Sequence, residues 1–434
     1  PHENKLSAHQ PIIKAEIPAK AAILLGQHIG APAKPIVAKG DVVKVGTKIA
    51  EPGGFVSAAI HSSVSGKVAK IDTIVDASGY AKPAIFIDVE GDEWEESIDR
   101  SETLVKECSL TSEEIVKKIA DAGIVGLGGA CFPTQVKLCP PPAFKAECVI
   151  INAVECEPYL TADHQLMLEH AEEIMVGVSI LMKAVKVNKA FIGIENNKPE
   201  CIDLLCKKTN GDSTIEVKPL PSVYGTGAEL ILIEKCLGRE VPHGGLPADA
   251  GAIVMNVTSV STLGKYLATG MPVVSRCITV DGDACANPQN LIVPVGTSYE
   301  DVLNAAGLKP GVTLGKVVAG GAMMGPAVEN LSYPTTKTTS GLIFLSKAAA
   351  EPAPVNPCIR CGRCVEYCPM GLEPVEVNQA YAARDVQELG KLHADYCFNC
   401  GSCSFVCPAK RPVTQMMSLA KAFYLGEIKK GGNK

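Results

Sequence analysis

The chain has 434 residues, 47% of them apolar and 20% charged, with a formal net charge of −6. That length exceeds one ordinary core and points to roughly two to four domains, while the acidic balance argues against nucleic acid, whose phosphates call for clustered Lys and Arg. No run of eighteen apolar residues occurs, since the best candidate, residues 174–194, is broken by Lys183, Lys186 and Lys189, so no span of its own across a membrane is expected and no secretory signal is read at its start.

Forty Gly and thirty Pro favour loops and β-rich modules over a helical bundle. Residues 31–95 read as short strands separated by turns. Segments 38–46 and 60–68 are similar to the two halves of a lipoyl- or biotinyl-type barrel-sandwich domain. Carrier versions place a Lys on the hairpin between the halves, but this chain has Glu51, Pro52, Gly53 and Gly54 there. The module is therefore expected to be structural or to serve docking. Residues 110–275 read as α/β. A capping box, Thr111 to Glu114, precedes a helix with Ile115 and Ile119 on its apolar face. A Gly-rich loop follows, then a strand over 148–154, a helix over 163–186 and a strand over 189–194. Strands are expected at 277–281, 291–295 and 316–319, with a short helix from Thr297 to about Gly307. This unit suits a β-grasp module. A Pro-rich linker at 348–357 comes before the last domain.

Eighteen cysteines in a chain without a secretory signal suggest metal or redox work rather than disulfides. Eight form two copies of one pattern: Cys358-x2-Cys361-x2-Cys364-x3-Cys368-Pro and Cys397-x2-Cys400-x2-Cys403-x3-Cys407-Pro. Thiolates bind iron strongly, and the close spacing lets one loop hold three corners of a 4Fe–4S cubane. The fourth Cys of each such run ligates the other cluster. One cluster is thus expected on Cys358, Cys361, Cys364 and Cys407, the other on Cys397, Cys400, Cys403 and Cys368. Zinc sites are the competing reading, but zinc ribbons use paired C-x2-C units. The apolar pattern of Val377, Ala380, Tyr381, Leu389 and Leu392 makes the segment between the motifs helical. The ten scattered cysteines read as small buried hydrophobes. Clusters pass single electrons, so a two-electron donor requires a converter such as a flavin.

The densest Gly loop runs from Gly126 through Gly128 and Gly129 to Thr134. It is neither a Walker A loop nor G-x-G-x-x-G, because Cys131 fills the third glycine position. Taken alone it says only that backbone approaches something closely, such as a phosphate or a flat ring, and a tight structural turn is the more common explanation. Gly126-x-Gly128-Gly129-Ala130-x-Phe132-Pro133-Thr134-x-x-Lys137 resembles the FMN- and NADH-binding loop of the flavin subunit of respiratory complex I. Asn152 through Pro158 is similar to that family's Asn-x-Asp-Glu-Ser-Glu-Pro. Tyr224 through Glu229 and Asn256 through Leu263 resemble two further segments of the same family, in the same order. Val154, Cys156 and Ala228 depart from it. The barrel-sandwich module ahead, an opening Pro1-His2-Glu3-Asn4-Lys5, and two full clusters at the end together resemble the RnfC subunit of the Rnf complex, the ion-translocating ferredoxin:NAD+ oxidoreductase.

The resemblance implies that Gly126, Gly128, Gly129, Ala130, Lys137, Asn152, Gly227, Ser259 and Thr262 hold FMN or shape its site. It implies a nicotinamide-nucleotide site of Phe132, Glu155, Glu157, Tyr224 and Glu229, with carboxylates for ribose hydroxyls. No general acid or base is needed, because hydride passes directly between nicotinamide and flavin. His2, His61, His164 and His243 form no ligand spacing and are expected to be surface or structural. The fold class is multidomain α/β and α+β. Residues 1–100 form an N-terminal lead and barrel-sandwich hybrid, 101–275 an FMN/NADH-binding α/β domain, 276–347 a β-grasp domain, and 348–434 a ferredoxin-like domain with two 4Fe–4S clusters. The implied function is electron exchange between NAD(H), FMN and the clusters. The implied setting is the cytoplasmic face of the membrane, beside other subunits of an Rnf-type complex that include an iron–sulfur subunit. Two alternatives are a soluble cobalamin reductase of propanediol utilisation and a flavin-less iron–sulfur scaffold.

Overall fold

A computed structural model describes residues 3–101, 103–140 and 145–431. Pro1 and His2, which open the N-terminal motif, lie outside the described residues. The chain divides into two compact units. One takes in Glu3–Gly321 and Pro326–Ala349, the other Ala322–Gly325 and the chain from Ala350 onward.

Alternating apolar residues in the first module build two small sheets around one core. The strands Lys20–Leu24, Ala81–Val89, Gly66–Val75 and Val42–Val43 lie side by side in that order, and Lys34–Pro35, Lys48–Glu51 and Ile60–His61 form the second sheet. Ile23, Ile49, Ile60, Val68, Ile85 and Ile87 close the interior between them.

The α/β domain has a four-stranded sheet in the order Ile215–Leu220, Ala190–Glu195, Cys148–Asn152 and Ala252–Asn256. All its pairs are parallel, and its two central strands are almost wholly buried, as a sheet covered on both faces requires. The predicted capping box is formed: the Glu114 carboxylate accepts from the Thr111 N–H, and the helix Ser112–Asp121 buries Ile115 and Ile119. The helix expected over 163–186 is broken at His170 into Ala162–Glu169 and Ala171–Val185. The second of these crosses the helix Val257–Thr269 at glycines: a Cβ on Gly177 would stand 2.0 Å from the Val260 carbonyl oxygen, and one on Gly264 2.4 Å from that of Glu173.

A six-stranded mixed sheet follows, ordered Ile12–Lys14, Gln289–Pro294, Ser275–Asp281, Gly341–Ser346, Leu314–Ala319 and Ala327–Val328. The helix Tyr299–Ala306 packs on it through Tyr299, Val302 and Leu303. Its cap is Ser298, one residue after the expected start at Thr297. The strand Ile12–Lys14 belongs to this sheet, pairing in parallel with Gln289–Pro294. The strand of the N-terminal lead is therefore part of this six-stranded sheet and not of the two sheets of the barrel-sandwich module.

In the second unit, Val377, Ala380, Leu389, Val413, Met417 and Ala420 form a core that also takes in Cys364 and Cys403. The segment between the cysteine motifs is helical, as its pattern predicts, with helices Pro374–Ala382 and Val386–Lys391. Among the described residues no helix is long and apolar enough to cross a membrane.

Candidate functional site

Ligands of open α/β sheets sit outside the carboxyl ends of the strands. Two strands of the α/β sheet end in register there, at Asn152 and Asn256, and the Gly-rich loop meets this edge. The base of the loop is closed by the Gly126 N–H donating to the Phe132 carbonyl, 2.9 Å. Its middle is held from two sides: the Leu127 N–H donates to Ser259 Oγ at 2.7 Å, and Arg276 Nη2 donates to the Leu127 carbonyl at 2.8 Å. Gly128, Gly129 and Ala130 are exposed at the tip. A Cβ on Gly128 would stand 2.9 Å from Asn256 Cβ, whereas one on Gly129 would meet nothing within 4 Å. The loop is thus pressed against the helix cap Asn256 on one side and open on the other. That is a cradle for a flat or anionic group, and it fits a bound FMN.

Several of the expected ligands also fasten this cradle through bonds within the protein. Ser259 is fully buried beneath Leu127. Asn152 Nδ2 donates to the Gly227 carbonyl at 2.8 Å. Lys137 Nζ donates to Glu229 at 2.6 Å and to the Val254 carbonyl at 2.7 Å. Thr262 Oγ1 donates back to the Thr258 carbonyl at 2.8 Å and lines a cavity of about 350 Å³ with Leu127, Lys265 and Arg276. Of the expected nucleotide set, Tyr224 and Glu157 come together, the Tyr224 hydroxyl donating to Glu157 Oε1 at 3.1 Å. Phe132 is half-buried beside the loop.

Glu155, expected at the nucleotide, is engaged with the start of a helix. Its backbone is left-handed, φ 49°, and its carboxylate accepts from the Asp163 N–H at 2.6 Å and the His164 N–H at 3.1 Å. It thereby satisfies open donors at the first turn of the helix Ala162–Glu169. Lys5 Nζ lies 3.9 Å from the same carboxylate and donates to the Glu155 carbonyl at 2.9 Å.

Sequence reasoning missed four polar groups here, Arg276, Lys198 and Lys337 buried and Asp163 half-buried. Arg276 is 4% exposed, and its Nη1 lacks a protein partner. Asp163 accepts from Asn256 and Thr258, and burial pushes its carboxyl up to about 6. Lys198 pairs with Glu195 at 2.9 Å in the interior. Lys337 donates to the Ala59 and Gly123 carbonyls, and burial lowers it to about 8. None stands in a local motif, and only an unusually polar residue within an apolar strand or turn hints at them. Cys131, in the third glycine position, is buried at φ 47°, and burial raises its thiol to about 12, which leaves it inert.

The motif cysteines gather in two groups. Cys358, Cys361, Cys364 and Cys407 line one cavity of about 360 Å³. Burial raises the Cys397 thiol, and the neighbouring Cys400 and Cys368 add to the rise, which puts Cys368 beside the second motif. Among the described residues no three of these sulfurs lie mutually within 4.8 Å. Backbone N–H groups of Arg360, Leu372 and Asn399 point at Cys358, Cys368 and Cys397 at 3.3–3.4 Å, and Thr414 Oγ1 lies 3.3 Å from Cys403. Such donors stabilise the added negative charge of a reduced cluster. All eighteen cysteines are free of disulfides.

A flavin cradle and two cubane cages in one chain define a flavin- and iron–sulfur-dependent electron carrier. The Nuo51 FMN-binding domain family matches residues 119–265, the RnfC barrel-sandwich hybrid domain residues 1–92, and the 4Fe–4S dicluster domain residues 357–410. The chain is 42% identical, over 89% of its length and 86% of the relative's, to the C-subunit of the Na+-translocating ferredoxin:NAD+ oxidoreductase complex of Acetobacterium woodii. It is 45% identical, over 85% and 80%, to the C-subunit of the proton-translocating ferredoxin:NAD+ oxidoreductase complex of Clostridium ljungdahlii. In fold, 72% of the chain matches 63% of a chain of an NAD+-reducing NiFe hydrogenase in the air-oxidized state, with TM-score 0.50 and 20% identity. The chain belongs to the RnfC family, the C-subunits of ion-translocating ferredoxin:NAD+ oxidoreductase complexes.

Proposed function

We propose that this chain is the peripheral electron-transfer subunit of an Rnf-type complex at the cytoplasmic face of a membrane, exchanging electrons between NAD(H), FMN and two 4Fe–4S clusters. The observation that carries it is the pairing, within one chain, of an open glycine cradle at a parallel-sheet edge with two gathered groups of motif cysteines. FMN, when bound, converts hydride from a nicotinamide into single electrons that clusters accept. The residues of this chain do the positioning. Gly128 and Gly129 admit the ring or phosphate closely, and Leu127 is clamped by Ser259 and Arg276 so that the loop does not yield. Lys137 and Glu229 form the polar wall, while Tyr224 and Glu157 offer an aromatic face and a carboxylate to a nucleotide. Cys358, Cys361, Cys364 and Cys407 hold one cluster, and Cys397, Cys400, Cys403 and Cys368 the other.

The mixed sheet with its single helix over 276–347 supports the β-grasp reading of that module. The exposure of Cys358 and Cys361 suits delivery to an iron–sulfur partner subunit. The test is an anaerobic optical titration of the reconstituted protein with NADH. Bleaching of a flavin band together with the broad cluster absorption is expected. Absence of flavin after reconstitution with FMN would leave only an iron–sulfur scaffold.

A further inference from the structure

Three side chains outside the flavin and cluster sites converge on one point of the first unit. His164 is the third residue of the helix Ala162–Glu169, and its backbone is fixed by the Glu155 carboxylate. Glu200 is the second residue of the helix Pro199–Lys208. His9 comes from the N-terminal segment and is exposed. His164 Nε2 lies 2.6 Å from Glu200 Oε1, the His9 and His164 rings meet edge-on with centroids 5.4 Å apart, and ligand atoms of all three lie within 4.8 Å of one another.

We propose that His9, His164 and Glu200 form a binding site for a zinc-type divalent cation that fastens the N-terminal segment to the α/β domain. Two imidazoles and a carboxylate are a donor set that zinc accepts, with water in the fourth position. Tetrahedral ligands at about 2.0–2.2 Å stand roughly 3.3 Å apart. The buried His164 therefore stays in place, while Glu200, 37% exposed at a helix start, opens from its hydrogen-bonded distance, and the exposed His9 closes in. The ion would take the place of the proton shared by His164 and Glu200.

The place of His9 along the chain gives the site its consequence. Before it, Lys5 is tied to the Glu155 and Leu160 carbonyls, and Ser7 to Asp281. After it, the strand Ile12–Lys14 joins the mixed sheet, and the Ile12 N–H donates to Glu169. A cation at His9 adds a third fastening between these two.

The experiment adds one equivalent of Zn2+ to chelator-treated protein whose two clusters are intact, so that the cluster thiols are already occupied. Zinc-edge X-ray absorption should show a first shell of nitrogen and oxygen with imidazole scattering and no sulfur. Hydrogen exchange over residues 3–14 should slow on zinc addition. His9→Ala should weaken zinc binding more than about a hundredfold, beyond the ten- to hundredfold that outer-shell partners are worth, and abolish the protection. Glu200→Gln, on the helix surface, provides a second variant with the same expectation. A sulfur shell, or binding and exchange unchanged in His9→Ala and Glu200→Gln, would overturn the site and leave His164–Glu200 as a plain hydrogen-bonded pair.

Discussion

Glu155, placed at the nucleotide by resemblance, holds the start of a helix through its hydrogen bonds. Both its oxygens accept from the helix Ala162–Glu169, so removing its charge should act on stability and not on nucleotide choice. Glu155→Gln is expected to cost about 1 kcal/mol, the usual worth of a cap and a helix-dipole charge, while the preference for NADH over NADPH stays as in wild type. Steady-state kinetics with both nucleotides, beside thermal denaturation, separates the two effects; a narrowed preference would return the carboxylate to the nucleotide. His61 offers a second test. Its ring is 6% exposed, and burial, reinforced by Lys337 and Lys48, lowers it from 6.5 to about 3. Below pH 6.5 the unfolded chain binds a proton that the folded chain refuses, so stability falls as pH drops from 6.5 towards 3. Between pH 7 and pH 5 this single group should remove about 2 kcal/mol. Asp163, raised to about 6, acts oppositely over its own range. The difference between wild type and His61→Gln isolates the histidine: the wild-type melting temperature should fall more steeply with acid, and parallel curves would refute the shift.

Among the elements, the crossing of Ala171–Val185 with Val257–Thr269 does most to position the flavin cradle. Glycines at 177 and 264 let the two backbones touch. The second helix begins at Asn256, whose side chain caps it by accepting from the Thr258 and Ser259 N–H groups and packs against Gly128. Gly177→Ala must push this helix away from its neighbour. Overpacking of that kind costs about 1–3 kcal/mol, and here the displaced Asn256 and Ser259 would also loosen the loop. The expected result is a lower melting temperature together with weaker FMN retention on gel filtration, with both clusters intact by iron analysis. Full FMN retention in a destabilised Gly177→Ala protein would show that crossing and cradle are independent.

For the whole molecule, the division near Ala350 follows the Pro-rich linker. The flavin cradle lies in one unit and the cluster ligands in the other. A chain ending at Ala349 should fold, keep FMN and pass electrons from NADH to a small dye, yet fail to reduce a protein acceptor. Loss of flavin on this truncation would mean that the cradle depends on the cluster unit.

What the sequence determined by itself is what short range can specify. Eight cysteines in two closely spaced runs point to 4Fe–4S clusters, because one loop can hold three corners of a cubane. The capping box at Thr111 and the helices between the cluster motifs follow from local periodicity in the same way. The tertiary structure decided the rest, because it joins residues more than a hundred positions apart whose pairing no local pattern encodes. It set the strand Ile12–Lys14 beside Gln289–Pro294, slid Arg276 under Leu127, and turned Glu155 towards a helix start. It also brought His9 to His164 and Glu200. In each case the partner is chosen by how layers pack and by the need to satisfy buried polar groups, a condition that exists only once the core has closed.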